Sequence, residues 1–334
     1  MKHKLLAVCI AVIVVAGSLS AYFLQNFADS NNKEHNTEKI RIVTTIFPVY
    51  DWVNNILGDN ADNADVSMLI NDGIDLHSYQ PSSEDIEKIS KCDMFIYVGG
   101  ESDEWVKDAI KSSGNKKMVV INLIDKLGNA VKNEETVEGM QEKDEHAEEH
   151  DHDEEAETDE HIWLSLRNAS FLTKNISDEL IAIDKDNEEI YKNNTVSYIK
   201  ALQDLDSQYK KAVSNASNKT LLFGDRFPFR YLTEDYGLSY YAAFSGCSSE
   251  SDASFETVIF LAKKTDELSL SSILTLEKSD QKIAKAIIKN TKDKDQEILT
   301  MDSMQSVTSK DADSDYAYLS VMKNNLDVLK QALK

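Results

Sequence analysis

The stretch Ala64–Gly99, ADVSMLINDGIDLHSYQPSSEDIEKISKCDMFIYVG, decides how the chain is read. It opens on a short apolar run, ADVSMLI, and closes on another, DMFIYVG. Between them SSEDIEKISK carries helical spacing, with Ser82 or Ser83 as the expected N-cap. Strand, helix, strand with apolar strands is the signature of a parallel sheet buried on both faces. The pattern repeats outward. IRIVTT, MVVINL, TLLF, SYYAAF, SSILTLE and EILTMD read as strands. PVYDWVNNILG, DEWVKDAIKSS, FRYLTEDYG, FETVIFLAKKTDEL, QKIAKAIIKN and DYAYLSVMKNNLDVLKQAL read as helices.

Two features interrupt the alternation. From Ser165 to about Asn215 the sequence is helical throughout, broken near Asp184–Asn187, with Ile190, Val196, Ile199, Leu202, Leu205 and Tyr209 as the expected apolar face of its second half. The expectation is two α/β lobes, 39–164 and 217–334, joined through a helical linker over 165–216 that includes one long rigid helix. The second interruption covers about Asn133 to Glu160. Within it, Glu142–His161 holds twelve carboxylates and four histidines in twenty residues and no apolar periodicity, which predicts a mobile loop.

The first 25 residues pair a basic MKHK with a run of about twenty mostly apolar residues, the composition of a signal peptide or a membrane anchor. Cys9 in LLAVC is a weaker lipidation signal, and the polar stretch 26–38 reads as a tether. All three readings export the chain, to the outer face of the membrane or the cell envelope. A formal charge of −23 excludes nucleic acid as a partner, because phosphate recognition needs Lys and Arg. It suits a protein that meets cations. Three cysteines without CxxC spacing give no thiolate metal motif, and Cys92 and Cys247 read as small buried apolar residues.

In open α/β sheets ligands gather beyond the carboxyl ends of the strands. His77 falls there, after ADVSMLI, and His161 stands just ahead of the helical region. These residues also carry a resemblance. GIDLHSYQP is similar to the G-x-D-P-H-x-Y-E-P segment of the cluster A solute-binding proteins, which serve ABC importers of zinc and manganese, and DEHIWLSLRNA is similar to their D-P-H-x-W-L-D-P-x-N-A segment. YLTEDYGL, ILTLEKSDQKIAKAI and the closing YLSVMKNNLDVLKQAL follow in order, so the likeness runs from about Ile40 to Lys334.

The resemblance implies two α/β lobes with one metal in the cleft, His77 and His161 as ligands, and Asp302 in LTMDSMQ as a carboxylate ligand. Glu277 resembles a family glutamate that supports the cleft. His146, His150 and His152 belong to an acidic histidine-rich loop of the kind found in zinc members, expected to capture metal weakly. One departure matters. No histidine follows His161, and the position of the family's third imidazole is Arg226, which leaves Asp225 as the nearest candidate. Two imidazoles and two carboxylates lean towards Mn²⁺, and the histidine loop leans back to Zn²⁺, the metal expected here. The implied partner is a membrane permease, with the chain itself a monomer. A metal-dependent hydrolase finds no support, because HExxH, GxSxG and the P-loop pattern are absent. Adhesion to a surface partner is compatible with either reading.

Overall fold

The structure, a computed structural model, describes residues 39–141, 157–248, 252–312 and 316–334. Eight strands form two sheets: β1 (Ile40–Thr44), β2 (Ala64–Met68), β3 (Met94–Tyr97) and β4 (Val119–Asn122), then β5 (Thr220–Phe227), β6 (Ser239–Ser245), β7 (Ser272–Leu276) and β8 (Glu297–Met301). The orders are β2-β1-β3-β4 and β6-β5-β7-β8, with every pairing parallel. Each sheet therefore reverses direction at its middle, between β1 and β3 in one and between β5 and β7 in the other. Loops diverge at such a switch point and leave a crevice at the carboxyl end. Both crevices face the cleft, where the loop after β2 carries His77 and the loops after β7 and β8 carry Glu277 and Asp302.

The helical linker is two helices, Leu166–Ile183 and Glu188–Ser214, joined by a 3₁₀ turn over Lys185–Asn187. The break is where DKDN suggested. The buried face differs from the expected one. Ile190 and Val196 are 41% and 69% exposed, while Tyr191, Thr195, Tyr198, Leu202, Leu205, Tyr209 and Val213 are buried. The reason lies in the tyrosine and threonine tips, which find partners inside. Tyr191 donates to Asp184 (2.6 Å), Tyr198 to Asp51 (3.0 Å), Tyr209 to the Met322 carbonyl (2.5 Å) and Thr195 to Ser177 (2.8 Å). A satisfied phenol brings a large ring into the core at little polar cost. Leu202, Leu205 and Tyr209 are buried as expected, but an apolarity count passed over Tyr191, Thr195 and Tyr198 in favour of Ile190 and Val196.

The last helix, Tyr318–Ala332, ties the lobes together. It packs against β8 and β7 of the second lobe, and Tyr318 lies edge-on to Trp52 of the first, with ring centroids 5.4 Å apart. A second tie was not anticipated. The ends of the acidic insertion pair with each other, Glu134 N–H donating to the Glu157 carbonyl (2.7 Å) and Asp159 N–H to that of Lys132 (2.9 Å). Residues up to Gln141 then cross to the second lobe, where the Gln141 amide donates to Ala243 (3.0 Å). The loop expected over 133–160 is thus hydrogen-bonded structure at both ends. His146, His150 and His152 lie outside the described residues, as do the N-terminal segment 1–25 and the tether 26–38. No helix among the described residues is long and apolar enough to cross a membrane.

Candidate metal centre in the cleft

His77 sits in a 3₁₀ turn, Leu76–Ser78, opened by Asp75, whose carboxylate accepts the His77 N–H (3.1 Å). Its Nδ1 is hydrogen-bonded to Ser102 Oγ (2.8 Å) and lies 3.5 Å from Glu160 Oε2. His161 is fully buried. Asp159 Oδ1 accepts both its backbone N–H and its Nδ1–H, each at 2.9 Å. Burial opposes the imidazolium, but the Asp159 carboxylate outweighs it and holds the His161 pKa above its ordinary value. With each Nδ1 hydrogen-bonded to a neighbour, the two Nε2 atoms face each other at 3.3 Å. This is how a metal-binding imidazole is normally prepared: an acceptor on one nitrogen fixes tautomer and ring plane, so the other can ligate.

The separation itself is informative. Zinc–nitrogen bonds of about 2.0–2.1 Å at the tetrahedral angle put two ligand nitrogens about 3.3–3.4 Å apart. The imidazole pair already has that spacing.

The second lobe meets the pair differently from expectation. Among the described residues, the groups whose potential ligand atoms all lie within 4.8 Å of one another are His77–His161–Cys247 and Glu134–Asp159–His161. Neither contains Asp225 or Asp302. The Asp225 oxygens accept from the Arg226 (2.9 Å) and Leu276 (3.2 Å) amides. Those of Asp302 accept from the Met304 amide (2.8 Å) and the Tyr316 hydroxyl (2.7 Å). Glu277 receives the Ser303 amide (2.7 Å), the Ser303 hydroxyl (2.6 Å) and the Gln305 amide (3.3 Å), so it braces the loop after β8. Arg226 spans the lobes to Asp75 (2.7 Å), and so steadies the turn that carries His77.

Two residues that sequence reasoning missed reach the pair. Gln305, 3% exposed, places its side-chain amide against both Nε2 atoms, 3.3 Å from His77 and closer to His161. Cys247 follows β6 and lines a cavity of about 210 Å³ with His77, Ser102 and Glu160. Its thiol is pushed well up by burial and by the Glu134 carboxylate, and its backbone N–H donates to Glu134 (3.1 Å). The preceding Gly246 lies on the His161 ring, where a Cβ would stand 2.9 Å from Cε1. A signal for Cys247 did exist: it stands just beyond the carboxyl end of a parallel strand, the same place that drew notice to His77. Gln305 had none, because its role depends on the path of a loop.

Two lobes, each a parallel sheet opening on a shared cleft, and an imidazole pair facing across it define a two-lobed protein of the solute-binding kind. The family model described as "Zinc-uptake complex component A periplasmic" matches residues 42–332, and the chain belongs to that family. The chain is 32% identical over 325 residues to the zinc-binding lipoprotein AdcA of Streptococcus pneumoniae, covering 96% of this chain and 60% of that protein. It is 28% identical over 328 residues to the high-affinity zinc uptake system protein ZnuA of Bacillus subtilis, covering 98% and 96%. The Zn(II)-bound ZnuA-like domain of S. pneumoniae AdcA superposes with a TM-score of 0.68 at 29% identity, over 88% of this chain and 99% of that one. The chain spans 56–60% of the length of the AdcA relatives.

Proposed function

We propose that this chain captures Zn²⁺ outside the cytoplasm, between its two lobes, and hands it to the membrane permease of an ABC importer. The observation that carries the reading is the facing pair of Nε2 atoms at 3.3 Å, each on a ring whose other nitrogen is hydrogen-bonded to a neighbour. The AdcA and ZnuA relatives, named for zinc binding and zinc uptake, favour zinc over the manganese alternative. His77 and His161 are the ligands in this reading. Asp225, Asp302 and Glu277 brace the loops around them. His146, His150 and His152 offer imidazoles among carboxylates in an acidic segment that collects metal weakly. Export rests on the N-terminal apolar run, with cleavage, lipidation or a retained anchor as its possible forms.

Zinc titration of the purified full chain tests the reading. One tight site per chain is expected, abolished in His77→Ala and in His161→Ala. Tight zinc binding that survives both substitutions overturns it.

A further inference from the structure

The family resemblance offered carboxylates from the second lobe, and the structure engages those carboxylates elsewhere. What the second lobe presents to the imidazole pair is a sulfur and an amide. We propose that Cys247 is the third zinc ligand, bound as a thiolate, and that the side-chain carbonyl of Gln305 closes the site as the fourth. This rests on the zinc-capture reading and names the donors the second lobe supplies to it.

Three observations converge on Cys247. Its Sγ belongs to the one group of described residues that joins both histidines, with all ligand atoms within 4.8 Å. In a zinc tetrahedron, with Zn–S about 2.3 Å and Zn–N about 2.0–2.1 Å, the N···S edge is about 3.6 Å, so Sγ has up to about 1.2 Å to travel. Gly246 lets the β6 loop lie directly on the His161 ring, which brings the next side chain to the pair. The third observation is Glu160, which is buried and whose Oε2 has no hydrogen-bond partner although it lies 3.5 Å from His77 Nδ1. A buried carboxylate oxygen beside an imidazole is costly when nothing positive stands near. A dication on the far side of the His77 ring gives that charge its counterpart.

The Gln305 assignment follows from counting hydrogens. Ser303 Oγ carries a single proton, and Glu277 Oε1 at 2.6 Å takes it. In the structure the Gln305 oxygen lies 3.1 Å from Ser303 Oγ and its nitrogen faces the two Nε2 atoms; turning the amide about its last bond brings the nitrogen to that hydroxyl as a donor. Turned that way, the amide directs its oxygen at the two Nε2 atoms, the side on which a cation would meet them. The alternative group, Glu134–Asp159–His161, would need His161 Nδ1, which Asp159 already occupies.

The coordination step balances simply: the thiol S–H bond breaks, the proton leaves to solvent, and the sulfur pair forms the Zn–S bond. A soft thiolate also accounts for selection. It favours zinc over manganese, which prefers oxygen donors, and so does in this chain what a third imidazole does elsewhere.

The test uses the full chain loaded with Co²⁺ as an optical stand-in, beside zinc affinities by competition with a chelator. Wild type and Cys92→Ser should show sulfur-to-cobalt charge-transfer absorption in the near ultraviolet, and Cys247→Ser should lack it. Cys247→Ser should also weaken zinc more than about 100-fold, beyond the about 10–100-fold loss expected when a group that only orients a ligand is removed. Its affinity for Mn²⁺ relative to Zn²⁺ should rise. Gln305→Ala should weaken zinc while keeping the sulfur absorption. Near-ultraviolet circular dichroism matching wild type reports an intact fold. The inference is overturned if wild type binds zinc tightly yet shows no sulfur absorption, or if Cys247→Ser keeps wild-type affinity. If wild type holds no zinc at all, the zinc-capture reading fails with it.

Discussion

The two rims of the cleft differ in how they were built. On the first lobe, His77 and His161 stand within two residues of the carboxylates that orient their backbone, Asp75 and Asp159, so each site is a local piece of chain. On the second, Asp225 and Asp302 are carboxylates of the kind a cation would favour, yet each is held by another part of the protein, and Arg226 pairs with Asp75. The residues that meet the imidazoles there, Cys247 and Gln305, arrive on loops set by strand ends and by the Glu277 brace. Local orientation makes a site readable from a short motif. Orientation through distant contacts does not.

Substitutions should separate the rims. The largest effect is expected for His77→Ala or His161→Ala. An apparent zinc-binding free energy of about 10–16 kcal/mol shared among four ligands is roughly 3 kcal/mol each, a loss of about 100-fold or more in affinity. Next comes Asp159→Asn, which keeps the shape but removes the charge that holds His161, and calorimetry should register a fall of about 10–100-fold. Arg226→Ala should fall in the lower part of that range, because it acts on His77 through Asp75. Asp302→Ala should cost less still in zinc affinity. A loss as large as that of His161→Ala would return Asp302 to the ligand set and erase the contrast drawn here.

The cleft wall also carries a titration that can be read without metal. Asp103, on the loop after β3, accepts from the Gly99 amide (2.9 Å), and burial, reinforced by the Glu160 charge, pushes its pKa up to about 7. The unfolded chain releases this proton at an ordinary carboxylate pKa of about 3.9 and the folded chain keeps it until about 7. The contribution to stability is therefore full below about pH 4 and lost as pH rises through 7. Asp103→Asn, which stays neutral, should flatten that decline in thermal unfolding of the metal-free chain between pH 5 and 8. The smallest effect is expected from deleting residues 142–156, with the paired ends left in place. Tight-site affinity should change by less than about 3-fold, about 0.6 kcal/mol. A large loss would move the binding centre from the cleft to that segment.

The sheets were legible because every strand is a short apolar run between turn residues, and all eight appear where the runs lie. His77 and His161 were legible as junction residues of that pattern and as motif positions. The Glu188–Ser214 helix was placed correctly, with Leu202, Leu205 and Tyr209 on its inner face, but Ile190 and Val196 were put there in place of Tyr191 and Tyr198, because tyrosine tips that bond to Asp184 and Asp51 leave no mark in an apolarity count. Asp302 shows what a sequence leaves out. It sits at the end of β8 as a ligand would, and only the fold shows Tyr316 and the Met304 amide holding its oxygens. Cys247 was expected to be buried; it is half-buried, and its neighbours were not foreseen.

The central claim is a zinc ion shared by two imidazoles from one lobe and met by the other. Anomalous diffraction at the zinc edge, from crystals of the zinc-loaded protein, tests it most directly. The account predicts one strong peak at about 2.0–2.1 Å from both His77 Nε2 and His161 Nε2. A peak bound elsewhere, with those two nitrogens free of it, would contradict the account.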